Sequence, residues 1–140
     1  MNAAKVLKIL LTLAGSVMSL AIVAAMMPTE WMAISHTLLG MGEFPNAPVT
    51  IYLARSASCL YAIHGFIYLT LARDVPRYLP IIHLLGWLDV LFGFAVVAIG
   101  ISAQLPAYWV AGEGPPVIVF GLVLVGLCRK QGRSDVDHVP

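Results

Sequence analysis

Charge is what this sequence has least of. Only 11% of its 140 residues are charged and 60% are hydrophobic, whereas soluble domains carry about 25% charged residues. That balance excludes an ordinary soluble domain and implies a chain built for a lipid bilayer. A formal net charge of +1 gives no basis for nucleic acid as a partner. Cysteine is scarce as well. Cys59 and Cys128 lie in separate apolar segments, with no CxxC and no Cys/His cluster, so neither a disulfide framework nor a zinc site is implied. Both read as free thiols packed as small apolar residues. The sequence also lacks a nucleophile elbow, a phosphate-binding loop and metal-ligand spacing, so nothing in it points to an enzyme.

What is present is a set of four apolar runs, at about 9–27, 49–72, 79–104 and 114–128. A spanning helix needs roughly 20 apolar residues. The first run follows Lys5 and Lys8 and contains no ionisable group. Its Val23-Ala24-Ala25 resembles a signal-cleavage site, but signal cores are only about 7 to 15 residues long, so a retained helix is expected. Pro28 ends it. Thr29 is then expected to cap a short helix over WMAISHTLL with Gly40 as its stop. Trp31, Ile34 and Leu38 make that helix apolar enough to lie along the membrane interface. GMGEFPNAP after it is turn chemistry. Before the fourth run, Tyr108 and Trp109 suit the headgroup level, and Gly114 and Pro115 read as helix cap and first helical residue. The fold expected is all-α: one four-transmembrane-helix bundle over 1–130, a short interfacial helix between helices 1 and 2, and a flexible cytoplasmic tail over 131–140.

Lysine and arginine are absent from the two connections that follow the first and third runs. Lys5, Lys8, Arg73, Arg77, Arg129, Lys130 and Arg133 fall on the opposite side of a four-span chain. By the positive-inside rule both termini are cytoplasmic. Arg55 is the exception, a permanent charge inside the second run, YLARSASCLYAIHG. Such a charge costs at least a few kcal/mol to insert. At about 1.5 Å of rise per residue, Arg55 lies roughly 9 Å below the outer boundary and Asp89 roughly 15 Å above the inner one. The fourth run is short, so its start is recessed and Glu113 approaches the level of Arg55. A helix N-terminus there would favour an anion. The expected site is therefore Arg55 with Glu113, the preferred partner, or Asp89, with Ser58 on the same face. It is structural, or it binds a small anion or a lipid headgroup.

Helical phase at about 100° per residue puts Ile51, Arg55, Ser58, Cys59, Ala62, Gly65 and Leu69 on one inward face. Ile82, Gly86, Asp89, Gly93 and Gly100 share a face of the third run, and small residues there allow close helix approach. Tyr61, His64 and Tyr68 form a second polar stripe, more than a monomeric bundle easily covers, which implies a homo-oligomer or a membrane-complex partner. His64 and His83 sit at similar depth on separate helices, which raises haem ligation. Both lie off the inward faces and no motif supports them, so no cofactor and no metal is expected. The alternative function is a small ion- or proton-coupled transporter or channel using Arg55, Asp89, Glu113 and His64. It requires a polar route to both sides, whereas the charges lie in the outer half and centre.

The stretches YLARSxSxLYAxHG, GEGPP and MPTEWM, set in four spans, resemble a family of small four-helix bacterial inner-membrane proteins, DoxX-like in outline. That resemblance implies the inner membrane and the fold, and it brings no activity with it. The small multidrug transporters are similar in size, but their acidic residue lies in the first span, where this chain has none.

Overall fold

The computed structural model describes residues 2–136. Among the described residues six helices are formed and no strand: α1 (Ala3–Ser19), α2 (Ala21–Met26), α3 (Thr29–Leu38), α4 (Pro48–Leu71), α5 (Val75–Ser102) and α6 (Ala107–Val136). Among the described residues three segments are long and apolar enough to cross a membrane: Ala3–Met26 with mean hydropathy 2.3, Val75–Ser102 with 2.2 and Ala107–Gly132 with 1.8. The 24 residues of α4 match them in length. Arg55, two serines and His64 dilute its apolar content, and α4 is not among the three. The chain forms two compact units, Met1–Leu10 with Leu71–Pro140, and Leu11–Thr70.

In the first unit α5 and α6 run antiparallel along a seam of glycines. On α5 they stand at Gly86, Gly93 and Gly100, and on α6 at Gly114 and Gly121. A Cβ on Gly86 would lie 2.9 Å from the carbonyl oxygen of Gly121, and one on Gly93 would lie 2.9 Å from that of Gly114. A Cβ on Gly121 would run into the Gly86 carbonyl. The two backbones touch because no side chain intervenes, which is how helices associate where burying apolar surface gives no advantage. A repeat of seven keeps such a seam turned to one partner. Asp89 is carried on the same face of α5 and is only 6% exposed.

The ends of these helices are set by specific bonds. The Asp74 carboxylate accepts the Arg77 N–H at 3.3 Å and starts α5, with Pro76 in the first turn, four residues before the expected start. At its C-terminus Gln104 N–H donates to the Ile101 carbonyl at 3.1 Å and Leu105 N–H to that of Gly100 at 3.0 Å, a Schellman closure. Gln104 occupies the left-handed position, φ 55°, where glycine is usual.

The expected start of the last helix at Gly114 is corrected. Trp109 and Val110 N–H groups already donate to the Pro106 carbonyl, at 2.9 and 3.2 Å, so α6 begins at Ala107 and passes through Pro115 and Pro116. Two adjacent prolines remove two donors, at the cost of the bonds to the carbonyls of Ala111 and Gly112. Apolar helices embedded in a bundle tolerate that loss. The segment is therefore not short, and Glu113, Tyr108 and Trp109 lie within the helix. Its far end also differs: α6 continues to Val136 through most of the expected tail, whose residues 137–140 lie outside the described residues.

The start of α1 belongs to this unit too. The Ala4 N–H is shared between Asn2 Oδ1 at 3.3 Å and Gln131 Oε1 at 3.1 Å. Gln131, 7% exposed, thus supplies from α6 an acceptor for one of the four N–H groups that any helix start leaves open. This bond and the antiparallel seam bring the start of α1, the start of α5 and the end of α6 to one end. Lys5, Lys8, Arg73, Arg77, Arg129 and Lys130 are therefore gathered there. Arg129 also places its guanidinium carbon 5.9 Å from the centroid of the Trp87 ring, a cation–π distance.

In the second unit the rest of α1 packs antiparallel on α4. A Cβ on Gly65 would lie 2.5 Å from Ser19 N and 2.8 Å from the Gly15 carbonyl oxygen. Beside this contact the helix is interrupted at Leu20 between α1 and α2, where the Ser19 hydroxyl donates to the Ser16 carbonyl at 3.0 Å. Pro28 then precedes α3. Thr29 is the first residue of α3 and not its cap, since Trp31 and Met32 N–H groups donate to the Pro28 carbonyl and no side chain caps the start. Gly40, φ 73°, ends α3. Met41 N–H donates to the His36 carbonyl at 3.1 Å. The following turn folds back: His36 Nδ1 lies 3.0 Å from the Gly42 carbonyl, and its ring stands edge-on to Phe44 at 5.5 Å. Every residue of α3 is exposed or half-exposed, Trp31 and Leu38 among the barest.

Candidate functional site

Arg55 stands on the second turn of α4, and its side chain is half-buried. One Nη donates to the main-chain carbonyl of Met27 at 3.2 Å. Met27 is the residue after α2 and before Pro28. Proline cannot continue the pattern of donors, so the carbonyls at this helix end are left without intrahelical partners. A cation near them is favoured by the helix dipole. Arg55 thus ties α4 to the end of the first apolar segment. The bond does not exhaust the guanidinium, which has five N–H donors in a planar fork. Among the described residues, Arg55 Nε is buried without a hydrogen-bond partner. Leaving a buried donor unmatched costs about 1–3 kcal/mol, more for a charged group.

An open groove of about 770 Å³ runs along α4 beside this group. It extends from Pro48 to Leu60 and is lined by Ile51, Tyr52, Arg55, Ser56 and Cys59 between them. Among the described residues Arg55 is the one charged group that lines it. Ser58 is half-buried, and its hydroxyl donates to the Ala54 carbonyl at 2.9 Å, so its proton is used within α4.

Arg55 falls in one compact unit, and Asp89 and Glu113 fall in the other. Asp89 is buried on α5 among the seam glycines, while Glu113 is half-buried inside α6. A recessed helix start at Gly114, which was to add an anion site beside Glu113, does not exist because α6 is already two turns old there.

The seven residues expected on the inward face of α4 are all half-buried or buried. The second polar stripe, Tyr61, His64 and Tyr68, is half-buried or buried. Tyr68 is 1% exposed, and the His64 ring meets it edge-on at 4.6 Å. Gly65 lies between the two stripes in helical phase, and its seat on the α1 backbone draws both inward. The surface of α4 that is exposed is instead apolar, at Leu53, Leu60, Ile63 and Ile67. His83, half-buried on α5, belongs to the other unit. Among the described residues no group of three His, Cys, Asp or Glu side chains could hold a metal ion.

Sequence reasoning missed two groups. The Met27 carbonyl was legible in principle, since a helix stopped by proline leaves open acceptors that an arginine can reach. Gln131 had a weaker signal, a helix start poor in caps whose N–H groups required an acceptor from elsewhere. Comparison with protein-family models, with curated proteins and with solved structures finds no match to this chain.

Proposed function

We propose that the chain is a multi-pass protein of the bacterial cytoplasmic membrane with four spans, α4 being the one whose polar residues turn inward. Both termini are cytoplasmic, and the outline is that of the DoxX-like proteins. Its role is structural or accessory rather than catalytic, within a homo-oligomer or a membrane complex, and Arg55 is a clamp that also receives an anionic group. The observation that carries this reading is the inverted distribution of side chains. Leu13, Val17, Leu91 and Phe94 point outward, while Asp89, Gln131 and the seam glycines lie inside. Water would not tolerate that much exposed apolar surface, but lipid requires it.

The clamp is tested by Arg55→Ala. Removing a charged donor from a part-buried bond costs about 1.5–3 kcal/mol, so the folded fraction recovered from detergent extracts after mild heating should drop. A variant that survives heating as well as the parent would contradict the clamp.

A further inference from the structure

We infer that the groove on α4 seats an anionic phospholipid, its phosphate on Arg55 and one acyl chain along Cys59 and Leu60. This rests on the reading of Arg55 as a membrane-embedded anion site and names its occupant. Three observations converge. The guanidinium has spent one Nη donor on Met27, and its Nε is buried without a partner. A planar fork with donors to spare recognises a phosphate through charge-assisted hydrogen bonds. The groove around it is otherwise nearly all apolar, with the Ser56 hydroxyl beside Arg55 and the Tyr52 ring at its flank. A free anion would lose its hydration against such walls and gain nothing from them, whereas a lipid places a chain there.

The third observation is one of level. Arg55 reaches to Met27, where the apolar segment Ala3–Met26 gives out, so the guanidinium sits at headgroup height while its stem lies along apolar surface. From Pro48 to Leu60 the helix rises roughly 18 Å. One leaflet of a hydrocarbon core about 30 Å thick is roughly 15 Å. Arg55 stands seven residues along the groove, so roughly 8 Å of it, about half of one leaflet, runs from the cation to Leu60 and takes the first part of an acyl chain.

The test is lipid retention by the full-length chain. The protein is exchanged into mixed vesicles of equal phosphatidylglycerol and phosphatidylcholine, extracted in mild detergent and weighed by native mass spectrometry. The parent should retain phosphatidylglycerol in preference to phosphatidylcholine. Arg55→Gln should lower that retention roughly tenfold or more. Cys59→Trp leaves Arg55 in place and fills the acyl half of the groove, and it should lower retention as well. Equal retention of the two lipids by the parent overturns the inference, as does phosphatidylglycerol retention unmoved by Cys59→Trp. A parallel arm adds inorganic phosphate alone. If phosphate raises thermal stability in the parent but not in Arg55→Gln, and no lipid is selected, the anion site stands and the lipid assignment fails. If neither ligand is bound, both fail.

Discussion

Gly86 and Gly121 face each other across α5 and α6 so closely that a Cβ on Gly86 would lie 2.9 Å from the Gly121 carbonyl oxygen. The obstacle in each direction is main chain, which cannot rotate aside as a side chain can. Gly121→Ala should therefore separate the helices and cost about 1–3 kcal/mol, as overpacking usually does. Gly126, on the same helix, is the control. A Cβ there meets nothing within 4 Å, and alanine is the better helix former by about 1 kcal/mol. Thermal survival of detergent extracts should fall for Gly121→Ala and hold or rise for Gly126→Ala. Equal behaviour would show that the seam is not what holds the two helices.

The bond from Ala4 N–H to Gln131 Oε1 at 3.1 Å joins the first and last helices. Gln131 is buried, so its loss leaves little room for water to replace the acceptor. Gln131→Ala should destabilise by about 1 kcal/mol. Its local signature is faster hydrogen exchange at the first turn of α1, while exchange through α5 stays as in the parent.

Much of this architecture was legible in the sequence, and the failures have physical causes. Periodicity and length located the apolar runs behind α1, α4, α5 and α6 and the short α3, because runs bounded by Pro28, Pro48 and Pro106 leave few alternatives, but not the break at Leu20 that sets α2 apart. The face of α4 carrying Arg55, Ala62 and Gly65 followed from phase alone. Pro115 and Pro116 misled because proline favours a first turn in general, but the hydrogen bonds from Trp109 and Val110 to Pro106 had already begun the helix. The Tyr61, His64 and Tyr68 stripe was read as needing a further partner because phase gives directions and not the width of a buried arc. Close backbone contact at Gly65 widens that arc. The open carbonyls before Pro28 were legible locally, but that Arg55, 28 positions away, is the cation that reaches the one at Met27 follows from no local pattern.

Gln104 closes α5 with φ 55°. A side chain in the left-handed region costs about 1 kcal/mol that glycine avoids. Gln104→Gly should raise the thermal midpoint by a few degrees without altering the helix boundaries, as read by circular dichroism. A lower midpoint would mean that the Gln104 side chain contributes more than its backbone costs.

The central claim is that α4 crosses the bilayer despite its arginine. With Cys59 and Cys128 replaced by serine, single cysteines are placed at Asn46, before α4, and at Asp74, after it, and treated with a membrane-impermeant maleimide. Asn46→Cys should react in intact cells from which the outer barrier has been removed, and Asp74→Cys only after the inner membrane is opened. Labelling of both positions from the same side would contradict the four-span reading.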